Sequence, residues 1–236
     1  MSNKSTKLLV AISSFLFLAL AFPVIAKEQS KKPTNTPPDL EKITFVHYAK
    51  SAKDSRPVDD TADIYKLMFG GIKWPKTMQY EVNSDGSDLD EEDVMGILGT
   101  SLETWDAKTG FELFDNVLGT TTEGSNSGDR INRVTWEDFG GPGAIAYNSF
   151  WFNTKTKEIV ESDVVFNSYY DWSLSGESDK MDLQNIATHE FGHNGLNDLY
   201  MPKSAKLTMY GYSDFGDIEK RTLGTGDISG IQALYD

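Results

Sequence analysis

An α+β fold is what this sequence predicts, on three observations. Several short runs are rich in β-branched and aromatic residues, one longer stretch places apolar residues at helical spacing, and a second helical stretch near the C-terminus carries two of the three histidines. The strand candidates are 77–82, 131–136, 144–152 and 159–166, with 153–157 as the turn joining the last two. After the first of these, Val94, Ile97, Leu98, Leu102 and Trp105 follow a run of acidic residues at intervals of three or four. The range 90–107 is therefore predicted to be an amphipathic helix with its apolar stripe in the core. Gly140, Gly141 and Gly143 precede the third candidate strand and let the chain bulge there. The second helix opens at Asp182, an acidic N-cap, and Leu183, Ile186 and Ala187 face the core. Gly195 supplies its stop, with Asn194 able to start the reversal in the left-handed region, and Asp198 follows three residues on.

Three segments make up the chain. Residues 1–26 combine Lys4 and Lys7 with an apolar stretch from Leu8 to Phe22 and small or modest residues up to Ala26, the pattern of a signal peptide cut before Lys27. The apolar stretch is short for a membrane span, so no stable anchor is expected after cleavage and the chain is expected to be secreted. Residues 27–71 are a polar linker, with Pro33, Pro37 and Pro38, and a short pro-segment is one reading of them. Within this segment 43–48 reads as a short strand that bears His47, either a strand histidine with no metal or a residue serving latency. The α+β pattern fills 72–236. No cysteine occurs anywhere, so this one core must hold without disulfides. A formal net charge of −14 repels nucleic acid and anionic membrane and favours a soluble monomer.

The chemistry concentrates in His189-Glu190-Phe191-Gly192-His193, the H-E-x-x-H pattern. Histidines four apart lie on one face of a helix, one turn from each other, and can take two corners of a tetrahedral zinc site. Glu190, beside that face, can deprotonate a water that zinc has acidified to a pKa of about 7. A helix that ends abruptly lets the chain turn back, which makes Asp198 the candidate third ligand. The stretch from Asp85 to Asp90 invites calcium but lacks the spacing of a calcium loop, and reads more simply as a turn leading into a helix N-terminus. There is no Gly-x-Ser-x-Gly elbow and no phosphate-binding glycine loop.

These residues resemble the zinc helix of the metzincin metallopeptidases, most closely the matrixin and snapalysin-like secreted microbial forms that carry aspartate as the third ligand. Residues 207–212, with Met209, resemble the Met-turn of that clan, and 225–235 are similar to the last matrixin helix. The resemblance implies a metzincin-like catalytic domain, a twisted mixed sheet packed on long helices with zinc helix and Met-turn in the C-terminal part. It implies a zinc-dependent metalloendopeptidase, with His189, His193 and Asp198 as ligands, Glu190 as general base and Met209 as the floor of the site. It also implies protein or peptide substrates, and calcium as a further ion. Substrate is expected to add to an exposed sheet edge at Ala144, Ile145, Ala146 and Tyr147, with Tyr210 and Tyr212 lining the cleft. The cysteine latency of animal matrixins is excluded.

One departure stands out. Gly195 and Asp198 fall two and five residues after His193, one fewer than in the family pattern. One residue is about 100° of helical rotation and 1.5 Å of rise, so the sequence predicts a handicapped site that a one-residue insertion would relieve. It keeps open a second reading, an impaired relative acting as a secreted binding module.

Overall fold

The computed structural model describes residues 39–50, 63–115, 117–125 and 128–236. The predicted signal peptide, its cleavage point and much of the 27–71 segment lie outside the described residues. In chain order the strands are β1 Leu40–Ala49, β2 Tyr80–Val82, β3 Gly119–Thr120, β4 Asn132–Glu137, β5 Ala144–Asn153, β6 Ile159–Asn167, β7 Trp172–Ser173, β8 Met181–Asp182 and β9 Tyr212–Ser213. The helices are α1 Glu91–Asp106, α2 Leu183–Gly192 and α3 Thr225–Tyr235. Among the described residues no helix is long and apolar enough to cross a membrane.

The strands confirm the predicted α+β class. Among the described residues seven of them form one mixed sheet in the order β3-β2-β4-β6-β5-β1-β9. The β3-β2-β4-β6 part is parallel, β5 is antiparallel to both β6 and β1, and β9 runs parallel to β1. β4, β5 and β6 fall where their β-branched and aromatic residues place them. β2 is shorter than the predicted 77–82, because Met78 is extended but makes a single bridge to Phe114.

Helix α1 forms as its spacing requires, burying Val94, Leu98, Leu102 and Trp105, while Ile97 is half-buried at the stripe's margin. The Trp105 indole N–H donates to Thr188 O at 2.8 Å, which locks α1 to α2. β6 does not alternate, because Glu161, Ser162 and Asp163 are all buried. The two carboxylates serve β4 and the loop before it: Glu161 accepts from the backbone N–H of Gly128 and Arg130, and Asp163 from that of Arg133 at 3.0 Å. In the 85–90 stretch, Asp88 accepts from Trp172 N at 2.9 Å, tying the turn before α1 to β7.

Candidate metal centre

Helix α2 is anchored at its start. Asp182 caps it by accepting from Asn185 N at 2.9 Å, and Arg221 grips the same carboxylate through Nε at 2.8 Å and Nη2 at 2.5 Å. Asn148 of β5 donates to Glu190 O at 2.9 Å, fixing the other end against the sheet. Leu183, Ile186 and Ala187 are buried as predicted.

The two imidazoles are each held by one nitrogen and offer the other. His189 Nδ1 donates to Thr208 O at 2.6 Å and His193 Nδ1 to Leu196 O at 3.0 Å, since a carbonyl can only accept. Both Nε2 atoms then face Asp198 Oδ1, at 3.2 Å from His189 and 3.5 Å from His193. Tyr200 OH donates to the other oxygen of Asp198 at 2.9 Å and sets the carboxylate's orientation.

These contacts are not ordinary ion pairs. Burial holds the His189 pKa down to about 3 and also lowers that of His193. Tyr200 donates a hydrogen bond that favours the ionised form of Asp198. With neutral imidazoles protonated at Nδ1, three lone-pair atoms point at one another, and none has a hydrogen-bond partner. A buried cluster of acceptors without a donor is unfavourable unless a cation lies between them. Bonds of about 2.0–2.1 Å in a tetrahedron put ligand atoms about 3.3 Å apart, close to the distances from Asp198 Oδ1 to each Nε2. The three residues therefore fit zinc.

Glu190 is buried, with both oxygens unpartnered, and its pKa is raised well above the ordinary value by desolvation first and by Asp198 second. Met209 packs under the helix: a Cβ on Gly192 would strike Met209 Sδ and the Trp105 ring. Asp227 of α3 secures the turn by accepting from the backbone N–H of Thr208 at 2.7 Å, Met209 at 3.1 Å and Gly224 at 2.9 Å. Gly192→Ala is expected to force this contact apart and cost about 1–3 kcal/mol, read as a lower midpoint in denaturant unfolding.

The missing residue is absorbed differently from the sequence expectation. α2 ends at Gly192, and the N–H groups of His193 and Asn194 bond back to Glu190 O and Phe191 O, three residues behind. Such tighter winding adds about 20° per residue and recovers part of the lost rotation. Neither Asn194 nor Gly195 adopts positive φ, so the stop is not a left-handed cap. Gly195 is glycine because a Cβ there would collide with Leu234 Cδ1. Asn194 is buried, accepting from Trp74 Nε1 at 2.8 Å and donating to Tyr80 OH at 3.2 Å and Phe191 O at 3.0 Å. Inserting one residue between His193 and Gly195 is thus expected to weaken zinc binding at least tenfold in a competitive chelator titration, opposite to the gain expected from spacing alone.

The predicted substrate residues need one correction. Ala144, Ile145, Ala146 and Tyr147 do lie on β5 beside the centre, but β5 is not an exposed edge, because β1 pairs with it along nearly its whole length. Tyr212 lies on β9 next to Tyr48, whereas Tyr210 is buried against it. His47 belongs to the site as well: its Nδ1 is 3.4 Å from Glu190 Oε1, and its ring meets that of His189 edge-on at 3.9 Å. Phe45 stacks on His193 with centroids 4.2 Å apart. No motif signals this, and a lone histidine in a candidate strand was its single trace in the sequence. Lys220 and Asp227 were likewise missed, as isolated charges with no pattern to mark their burial.

Comparison with known proteins accords with this geometry. The family model for matrixin matches residues 73–236. The chain is 27% identical over 177 residues to human matrix metalloproteinase-25, an alignment covering 72% of this chain and 31% of that protein. The chain thus spans about a third of that relative's length.

Proposed function

Because the chain belongs to the matrixin family of metallopeptidases, we propose that it is a zinc-dependent endopeptidase acting on proteins or peptides. The observation that supports this best is the convergence of His189 Nε2, His193 Nε2 and Asp198 Oδ1, three buried acceptors with no donor among them. These residues would hold zinc, and the Nδ1 bonds to Thr208 O and Leu196 O would fix the tautomer that leaves each Nε2 free. Zinc bound there supplies Lewis-acid polarisation of the scissile carbonyl and acidification of a water.

The chain's own residues do the rest. Glu190, with both oxygens free, takes the proton of the attacking water and delivers it to the leaving amine nitrogen. Met209 and Asp227 keep the floor rigid, and β5 would serve as a backbone template for an extended peptide at Ala144–Tyr147 only where β1 has left it. The intact ligand geometry favours a working enzyme over an impaired binding module.

Digestion of casein, inhibited by a zinc chelator and restored by added zinc, tests the reading. Absence of digestion in zinc-loaded protein freed of any covering segment would overturn it. We read the protein as exported, so secreted material should begin at Lys27. An intact Met1 chain recovered in the membrane fraction would contradict export.

A further inference from the structure

β1 lies outside the segment that the family model matches, yet it fills the groove between β5 and β9. It pairs with β5 from Leu40 opposite Asn153 to Tyr48 opposite Ala144, and with β9 at Tyr48 and Ala49. Backbone bonds clamp its end from both sides: Ala49 N donates to Gly143 O and Lys50 N to Ser213 O, each at 2.7 Å. An extended segment accepted between two strand edges is the arrangement by which sheets bind peptides.

The side chains of β1 reach the reacting groups. Phe45 and His47, two residues apart and hence on one face, cover His193 and His189, and His47 Nδ1 reaches Glu190. With β1 in place, His189 and Glu190 are fully buried and His193 is 1% exposed, so no substrate can meet them. The contact is also imperfect: His47 Nδ1 and both Glu190 oxygens remain without hydrogen bonds.

The far side of His47 is well made. Its Nε2 lies 3.0 Å from Ser213 Oγ and 3.1 Å from Lys220 Nζ. Lys220 is buried and donates to Tyr210 O and Tyr212 O, while Asn185 accepts from Lys220 N and donates to Ser213 Oγ. These residues form a polar side-chain pocket beside Glu190, with the Lys220 nitrogen at its base as a donor.

We propose that residues 40–49 are a resident peptide occupying the groove in which substrate must lie, and that the Lys220 pocket favours a side chain carrying a hydrogen-bond acceptor. The proposal rests on the peptidase reading for its substrate, and activity then scales with the fraction of molecules in which β1 has withdrawn. β1 is paired along its length on one side and at only two residues on the other, whereas β6 is paired along several residues on both, so β1 should open at lower free energy than β6.

Amide hydrogen exchange on the full-length chain tests this, comparing 40–49 with 159–167. The measurement is made alone and with synthetic peptides of sequence 40–49 that carry His, Glu or Leu at the position of His47. The expected result is exchange at 40–49 at least tenfold faster than at 159–167, accelerated severalfold further by the His and Glu peptides and little by the Leu peptide. A common rate for both segments, unmoved by any peptide, would make β1 a permanent strand and overturn the proposal. Equal action of the Leu peptide would overturn the pocket's selectivity. Turnover of a fluorogenic peptide by Phe45→Ala, expected to exceed the parent at least tenfold, separates the two readings. Silence there in zinc-loaded protein with a freely exchanging β1 sinks the peptidase reading alone.

Discussion

Glu190→Gln is expected to lower peptide hydrolysis on the order of a thousandfold while leaving zinc content unchanged, within the range that general acid–base catalysis contributes. The amide keeps the shape of the carboxylate but cannot take a proton from water. Neither oxygen of Glu190 has a hydrogen-bond partner, so no network is lost. Stability points the same way. The folded pKa of Glu190 is raised by burial, so in metal-free protein the folded state holds a proton that the unfolded chain releases. The contribution of this group is therefore intact below the ordinary carboxylate range and is lost as pH rises towards the folded pKa. Glutamine removes that loss, and metal-free Glu190→Gln should melt no lower than the parent at neutral pH. Activity equal to the parent would eliminate Glu190 as the base, and loss of zinc would make it a ligand.

Asp198→Ala is expected to weaken zinc binding by more than about a hundredfold, beyond what losing an outer partner of a ligand costs. Its Oδ1 is the atom both Nε2 groups face, and no other described carboxylate shares a site with both histidines. Tyr200→Phe, which removes the hydrogen bond to Oδ2, should cost about tenfold, and the contrast between the two variants separates ligand from support. Proton competition should be reduced. His189, at about 3, is neutral well below the range in which free imidazole protonates, and burial shifts His193 in the same direction, so affinity in the parent should fall less between pH 7 and pH 5 than it would for two exposed histidines. Equilibrium titration against a competing chelator measures all three. Unchanged affinity in Asp198→Ala would remove the third ligand from the account.

What the sequence made legible was local. The 3.6-residue period of Val94, Leu98, Leu102 and Trp105 defined α1, Asp182 marked the start of α2, and the histidine spacing located the metal face. The two-residue strands β7 and β8 are too short for a period to show, and β3 and β9 had no local signal, because pairing with distant partners creates them. The same holds for β1: a run at 43–48 could be read as a strand, but its insertion between β5 and β9 depends on partners far along the chain, such as Leu40 with Asn153 and Tyr48 with Tyr212. Gly195 looked like a helix stop and proved to be a packing site for Leu234, a distinction invisible without the neighbour. The shortened motif looked damaging because the count assumed a regular helix, whereas the final turn winds more tightly and Asn194 is built into the core.

X-ray absorption at the zinc edge of the purified protein tests the central claim most directly. The account predicts zinc bound by two imidazole nitrogens and a carboxylate oxygen at about 2.0–2.2 Å, with the carboxylate signal gone in Asp198→Ala. Zinc surrounded by water and surface carboxylates, with the same spectrum in that variant, would contradict it.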